Sequence, residues 1–296
     1  MIAESGNPVN TKKQERTDIM SYHKILTVQD ISCVGQCSLT VALPILSAAG
    51  HETAILPSAV LSTHTAGFTG YTFRDLTEDI PGIVAHWQKE QIKFDAIYTG
   101  YLGSTEQIED VKQMLNVLAG ENCVSFVDPA MADNGKLYPA FDQAFVEQMK
   151  TLAFSADVIL PNITEACLLT DMAYREHYDE AYIDALLARL SSAGAKTVIL
   201  TGVSYRPETT GVVVFENGKK AYYEHRRISK GSHGTGDVYA SAFVGAYLRG
   251  KSAYDAAAIA ADYTVRCIEN TIDDPTHWYG VKFEPVLPYF MQRLEA

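Results

Sequence analysis

Two glycines around a threonine, followed at once by an aspartate, make the stretch from Gly231 to Ser241 (GSHGTGDVYAS) the place where chemistry is concentrated. Gly234, Thr235 and Gly236 carry little or no side chain, so the backbone can turn tightly and aim several N–H groups at one point. Such a point binds an anion. Val238, Tyr239, Ala242, Phe243, Ala246 and Tyr247 recur at helical spacing up to Arg249-Gly250, which predicts a helix whose positive end carries the turn. Negative charge developing on a transferred group would be stabilised there, and Asp237 at its edge is suited to take a proton from an attacking hydroxyl. Taken alone, the same four residues also fit a plain loop with Asp237 as a helix cap. His233 beside them fits a loop position or a phosphate contact.

A scaffold for this turn is written in the hydropathy. A short apolar run over 23–29 is followed by a polar turn over 30–37 and then by a stripe of Leu39, Ala42, Leu43, Leu46 and Ala49, with Ser38 as its cap. Strand, turn and helix then recur. Strands are predicted over 53–61, 96–99, 124–128, 158–160 and 197–200. Helices are predicted over 80–91, 105–118, 141–152, 165–169, 182–193, 238–248 and 253–270. Alternating strands and helices imply an α/β fold, with a parallel sheet covered by helices on both faces. In the C-terminal half, 211–215 and 220–225 flank Asn217-Gly218 and read as an antiparallel hairpin with a tight primed turn. Between His51 and Pro81 no further strand cluster is evident.

The bulk numbers bound the class of function. A chain of 296 residues, 47% hydrophobic and 20% charged, is long enough for one large core and is read as a single domain over 20–296. Residues 1–19 are polar and without period, as expected of a disordered extension. The net charge of −12 argues against a nucleic-acid partner. No membrane span or signal peptide is written in the sequence, so a cytoplasmic location is expected. Five scattered cysteines fit reduced thiols, and Cys33 with Cys37 lacks a second pair at zinc spacing. Trp87 and Trp278 are read as packing residues.

Ligands of open α/β sheets bind beyond the carboxyl ends of the strands. The residues expected there are Asp30 with Ser32, the segment Ser62-Thr63-His64-Thr65, Gly100-Tyr101-Leu102-Gly103, Asp128-Pro129, Asn162 with Glu165, Thr201-Gly202 and the Gly-Thr-Gly-Asp turn. Asp128 alone could be a turn residue, and Glu165 a first-turn acid. Their convergence on one edge is what those separate explanations leave out.

With Thr99-Gly-Tyr-Leu-Gly-Ser104, Val127-Asp-Pro-Ala-Met131, Leu160-Pro-Asn-Ile-Thr-Glu165 and Gly234-Thr-Gly-Asp237 in this order, the chain resembles the ribokinase-like superfamily, and within it the pyridoxal/pyridoxamine kinase branch. Thr27-Val-Gln-Asp-Ile-Ser-Cys-Val-Gly35 is similar to the amino-terminal stretch of bacterial pyridoxamine kinases. The resemblance runs from about Lys24 to the last helix. It implies a three-layer α/β/α sandwich and an ATP-dependent kinase that phosphorylates the 5′-hydroxymethyl group of a vitamin B6 vitamer. By the same resemblance, Asp237 is the base and Gly234, Thr235 and Gly236 are the anion hole. Asn162, Glu165 and Asp128 organise Mg²⁺ and phosphate-bound water, with Asp128 and Glu165 the carboxylates on the metal side. Thr201 contacts phosphate, and Asp133 and Tyr138 belong to a flap over ATP. Asp30, His64, Thr65 and Tyr101 face the pyridine ring. A monovalent cation such as K⁺ and a homodimer are further family expectations.

The chain departs from many pyridoxal kinases at Asp30, where a serine is usual. A carboxylate beside the ring would favour pyridoxamine, unless Asp30 only caps its loop and Ser32 touches the ligand. His64 is expected only to line the pocket. Alternatives are a hydroxymethylpyrimidine kinase of thiamine synthesis, a sugar or nucleoside kinase, and a non-catalytic vitamer-binding protein on the same fold. The missing lid strands speak against the sugar kinase, and the retained base and carboxylates against the pure binder.

Overall fold

The computed structural model describes residues 22–228 and 233–296. The expected disorder of 1–19, and residues 231 and 232 of the glycine-rich stretch, lie outside them. The strands are β1 (Lys24–Ser32), β2 (Glu52–Leu61), β3 (Phe73–Asp75), β4 (Phe94–Thr99), β5 (Ala119–Val127), β6 (Ala132–Asp133), β7 (Lys136–Leu137), β8 (Val158–Ile159), β9 (Thr197–Val203), β10 (Thr209–Glu216) and β11 (Lys219–Arg226). Nine of them form one sheet in the order β11-β10-β9-β8-β5-β4-β1-β2-β3, and β6 pairs with β7 apart from it. From β9 to β2 every pairing is parallel, while β3, β10 and β11 run antiparallel at the two edges. The hairpin turn has positive φ at both Asn217 (53°) and Gly218 (73°), as a primed turn between twisted strands requires.

The helices are α1 (Leu39–Ala48), α2 (Ile80–Lys89), α3 (Thr105–Leu118), α4 (Gln143–Ala153), α5 (Ile163–Leu169), α6 (Glu180–Ser192), α7 (Thr235–Leu248), α8 (Ala253–Glu269) and α9 (Leu287–Glu295). They sort into two layers. Ile108, Val111 and Met114 of α3, with Val146 and Met149 of α4 and Ile183 and Leu186 of α6, form one buried cluster against Leu26 and Val28 of β1. Val41 and Ile45 of α1, Val238 and Phe243 of α7, Ala256 and Ala260 of α8, and Phe290 of α9 form the other, against Ile25 and Tyr98. A sheet buried on both faces accounts for the near-continuous apolar strands. The fold is the expected α/β/α sandwich with a mostly parallel sheet and a C-terminal-half hairpin.

The chain reverses its direction of winding between β1 and β4, which are neighbours although β2 and β3 intervene in sequence. A crevice beyond the strand ends opens at such a switch point. Several details differ from the sequence expectation. β1 continues through Asp30 to Ser32, so both residues belong to the strand rather than to the turn after it. Thr201 and Gly202 likewise lie inside β9. One short strand, β3, does occupy the 51–81 interval, with all three residues exposed. The pair β6 and β7 and the helix α9 were not foreseen either.

Candidate active site

Gly234 is the hinge of the site. It adopts φ 73°, ψ 3° immediately before α7, and a Cβ there would lie 1.7 Å from the carbonyl oxygen of Gln36. Only glycine fits both the left-handed backbone and the contact. Thr235 opens α7, and Gly236 follows with open space where a side chain would stand. The N–H groups of this first turn are therefore presented at the positive end of a 14-residue helix.

Asp237 does not cap that helix. Its Oδ2 instead accepts the backbone N–H of Ser38, 3.0 Å away and 199 residues earlier. Burial raises the Asp237 carboxyl to about 6, the Ser38 N–H opposes the rise, and the negative charge of Asp30 adds to it. An aspartate tuned to that range is a competent proton acceptor near neutral pH.

Asp30 is 6% exposed and sits where the register between β1 and β2 is irregular. Its carboxylate accepts the hydroxyls of Ser32 (3.0 Å) and Ser38 (2.5 Å). Ser32 is itself buried. Tyr101 is half-buried with its ring 5.4 Å from that of Phe141, and burial followed by the charge of Asp30 pushes its phenol upward. His64 is buried between two loops: Nε2 lies 2.7 Å from the Tyr279 carbonyl oxygen, and Nδ1 accepts the Ala66 N–H at 3.2 Å. Both ring nitrogens are thereby engaged, and the ring pins the loop after β2 to the chain's C-terminal segment. Thr65, next to it, is exposed. Trp87 packs against Phe94 as expected, whereas Trp278 covers Phe68 at 4.6 Å but remains 48% exposed.

On the other side of the switch point, Asp128 follows β5 and makes a local turn, its Oδ1 accepting the Ala130 N–H at 3.1 Å. Glu165 is 2% exposed and serves as the organiser of this half. Its Oε1 accepts the N–H groups of Met131 (2.9 Å) and Ala132 (3.4 Å), and its Oε2 that of Asn162 (2.9 Å). Asn162 returns the favour by capping α5 through the Glu165 N–H, and donates its amide to the Ala132 carbonyl. This capping box thus ties the loop that carries Asp128 to the start of α5. Thr201 bridges to Asn162 from β9.

β6 and β7 form a small flap whose tip, Asn134-Gly135, has positive φ at both residues. Thr164 holds the tip by accepting the Gly135 N–H at 2.9 Å. Asp133 is exposed and engaged by Asn134. Tyr138 is 39% exposed, yet desolvation of its phenol against the flap and the charges of Glu165, Asp133, Asp128 and Asp237 raise it above the ordinary phenol range. Burial also raises Asp128, with Glu165 and Asp237 adding to it, and burial takes Glu165 to about 7. The negative charges of Glu165 and Asp237 both bear on Asp128, which is what a cation beside Asp128 would relieve.

Among the described residues no three His, Cys, Asp or Glu side chains form a metal cage. One or two carboxylates with water and phosphate oxygens suit Mg²⁺, so the donor set fits that ion. Asp128 is half-buried, with one oxygen not spent on its own turn, whereas Glu165 is buried and its two oxygens are taken by backbone N–H groups.

The main residue that sequence reasoning missed is Ser38. It was expected to cap α1, but it makes no side-chain cap and adopts φ 54°, ψ −131°. The hydroxyl turns to Asp30 and the N–H to Asp237. Gln36 is a second omission: its amide donates to Glu284 at 2.8 Å and joins the loop after β1 to the segment before α9. Neither long-range bond has a sequence signature.

Residues 71–280 match the family model described as phosphomethylpyrimidine kinase. A candidate phosphomethylpyrimidine kinase from Bacteroides thetaiotaomicron, crystallised with pyridoxal, superimposes with a TM-score of 0.85 at 36% identity, covering 90% of this chain and 95% of its own. Pyridoxal kinase from Lactobacillus plantarum gives a TM-score of 0.85 at 32% identity, covering 91% and 97%. The hydroxymethylpyrimidine/phosphomethylpyrimidine kinase of Bacillus subtilis is 26% identical over 236 residues, 76% of this chain and 83% of that protein. With the family model covering most of the chain and two relatives above 30% identity spanning nine-tenths of it, the chain belongs to the phosphomethylpyrimidine kinase family of ribokinase-like kinases.

Proposed function

We propose that the protein transfers the γ-phosphoryl group of ATP to the 5′-hydroxymethyl group of a vitamin B6 vitamer. The single observation that carries this reading is Asp237: a half-buried carboxylate in the first turn of a helix, held by the Ser38 N–H beside the Gly234–Gly236 turn and pushed up to about 6 by desolvation. In the proposed step the substrate hydroxyl gives its proton to Asp237 as its oxygen attacks the γ-phosphorus. The bond from that phosphorus to the bridging oxygen breaks, and ADP leaves with the electron pair. The turn, at the helix's positive end, stabilises the charge on the transferring group. Mg²⁺, when bound, neutralises phosphate oxygens, and Asp128 backed by Glu165 would hold it. Tyr138 and the flap tip held by Thr164 would exclude water from the phosphates.

The vitamer assignment is supported by the pyridoxal kinase of L. plantarum and by the B. thetaiotaomicron protein that binds pyridoxal, both above 30% identity. A second reading, a hydroxymethylpyrimidine kinase, is favoured by the family model and the B. subtilis relative. The two substrates are primary alcohols on different heteroaromatic rings and need the same machinery. The deciding experiment is ADP release from Mg-ATP with pyridoxamine, pyridoxal, pyridoxine and hydroxymethylpyrimidine in parallel. Turnover on the vitamers is expected. Turnover on hydroxymethylpyrimidine alone would transfer the assignment to the second reading, and none on any would end both.

A further inference from the structure

One connection at the substrate side is not used by the phosphoryl-transfer step itself. Ser38 stands between two carboxylates. Its hydroxyl donates to Asp30 Oδ1 at 2.5 Å and its backbone N–H to Asp237 Oδ2 at 3.0 Å. To do both it holds φ 54°, ψ −131°, a backbone that residues with a Cβ avoid. Helix formation does not ask for this, since Ser38 makes no side-chain cap for α1. Asp30, at the irregularity of β1, has Ser32 on its other oxygen at 3.0 Å and is 6% exposed. The loop between them is braced by the Thr40 hydroxyl on the carbonyls of Gly35 and Cys37, and it packs against Gly234 through the Gln36 carbonyl.

We propose that Asp30 is a positioning residue for the base: by holding the Ser38 hydroxyl, it keeps the Ser38 N–H on Asp237 and so orients the carboxylate that receives the substrate proton. The functional half of this rests on the kinase reading, while the connection itself does not. It also gives Asp30 a task other than contact with the ring, because both its oxygens are already engaged by serine hydroxyls. The ionisable groups around Asp237 are Asp30 from β1, Cys37 before α1, Tyr98 from β4, Asp128 after β5 and Tyr138 after the flap. Of these, Asp30 alone is joined to Asp237 through one intervening residue by hydrogen bonds that the described residues show.

Two substitutions separate positioning from packing. Ser38→Gly keeps the N–H and accepts the positive φ, but removes the hydroxyl. Asp30→Asn keeps an acceptor for that hydroxyl and removes the charge. For each, kcat and KM are measured across pH with Mg-ATP and whichever alcohol is turned over. The Asp237 carboxyl is also titrated by ¹³C NMR in aspartate-labelled protein without substrate, its resonance assigned by loss in Asp237→Asn. For Ser38→Gly the expectation is a thermal midpoint no lower than wild type and a kcat down about 10- to 100-fold, with KM for ATP within about two-fold. For Asp30→Asn the Asp237 midpoint and the acidic limb of the rate profile are expected to move down together, by about one pH unit. In Ser38→Gly the Asp237 midpoint should rise as the N–H leaves its oxygen. A wild-type kcat or an unmoved midpoint in that variant would overturn the proposal, as would a kcat in folded Asp30→Asn, above the acidic limb, as low as that of Ser38→Gly. Should Asp30→Asn fail to fold, the Ser38→Gly result decides alone. If no alcohol is phosphorylated the kinase reading fails, and the NMR titration still tests the connection.

Discussion

Asp237 combines two properties that pull against each other. Its carboxyl is raised to about 6 because it is partly withdrawn from water and because Asp30 is near, so it is ionised at pH 7.5 only at a cost to the fold. The sign follows from linkage: between the unfolded value near 4 and the folded value near 6, the native state binds more protons than the unfolded one, so stability falls as pH rises through that window. Asp237→Asn removes the buried charge. The variant should be more stable than wild type at pH 8, by about 1–3 kcal/mol, with the gap closing below pH 5. Urea unfolding at the two pH values checks this. The same substitution should lower kcat about 10²- to 10⁴-fold while nucleotide binding persists. In wild type, kcat/KM should rise through an acidic limb near pH 6, where Asp237, the proposed base, loses its proton. An Asp237→Asn enzyme with undiminished kcat would remove the base from the mechanism.

At the scale of elements, the turn before α7 and the loop before α1 work as one unit, and their two glycines can be separated experimentally. A Cβ on Gly234 would meet the Gln36 carbonyl at 1.7 Å in a left-handed backbone, whereas one on Gly236 meets nothing within 4 Å. Gly234→Ala should therefore lower stability by about 1–3 kcal/mol and abolish turnover. Gly236→Ala should keep or slightly raise stability, since alanine suits a helix's first turn, yet reduce kcat by crowding the anion site. Equal loss of stability in both variants would contradict this division. Such elements differ in how far sequence discloses them. The periodic helix over 105–118 matches its structural bounds because one apolar stripe faces one core. β6 and β7 have two residues each, and β3 has three exposed ones, too few to carry a period. α9 is nine residues long and is entered through Pro285 and Pro288, positions where a missing N–H does no harm, so its period is short and its start carries no usual cap. The candidate site was legible where residue type dictates chemistry, as for Asp237 or Asn162 with Glu165. It was not legible at Ser38, because a positive φ on a serine and a bond across 199 residues exist only once the chain has folded.

For the whole molecule, the parallel sheet explains why acidic groups accumulate where they do. Strands β1, β4 and β5 end at one edge, and the residues placed there arrive from separate parts of the chain: Asp30, Asp128 after Thr99 has accepted its N–H, and Glu165 through its hold on Met131. A chain with a net charge of −12 has no general cationic field to offset them. Burial and mutual repulsion raise Asp128, and burial takes Glu165 to about 7, so in the absence of a cation part of this cluster is protonated near neutral pH. A divalent cation must displace those protons, which makes its binding pH-dependent. Mg²⁺ added with a non-hydrolysable ATP analogue should therefore raise the thermal midpoint more at pH 8 than at pH 6, by the mass-action stabilisation of a ligand that binds only the folded chain. Comparison with the analogue alone isolates the metal's share. Asp128→Asn should remove most of the Mg²⁺-dependent increment at both pH values. An increment independent of pH, or unchanged in Asp128→Asn, would place the cation away from these carboxylates and leave their raised values to be explained by burial alone.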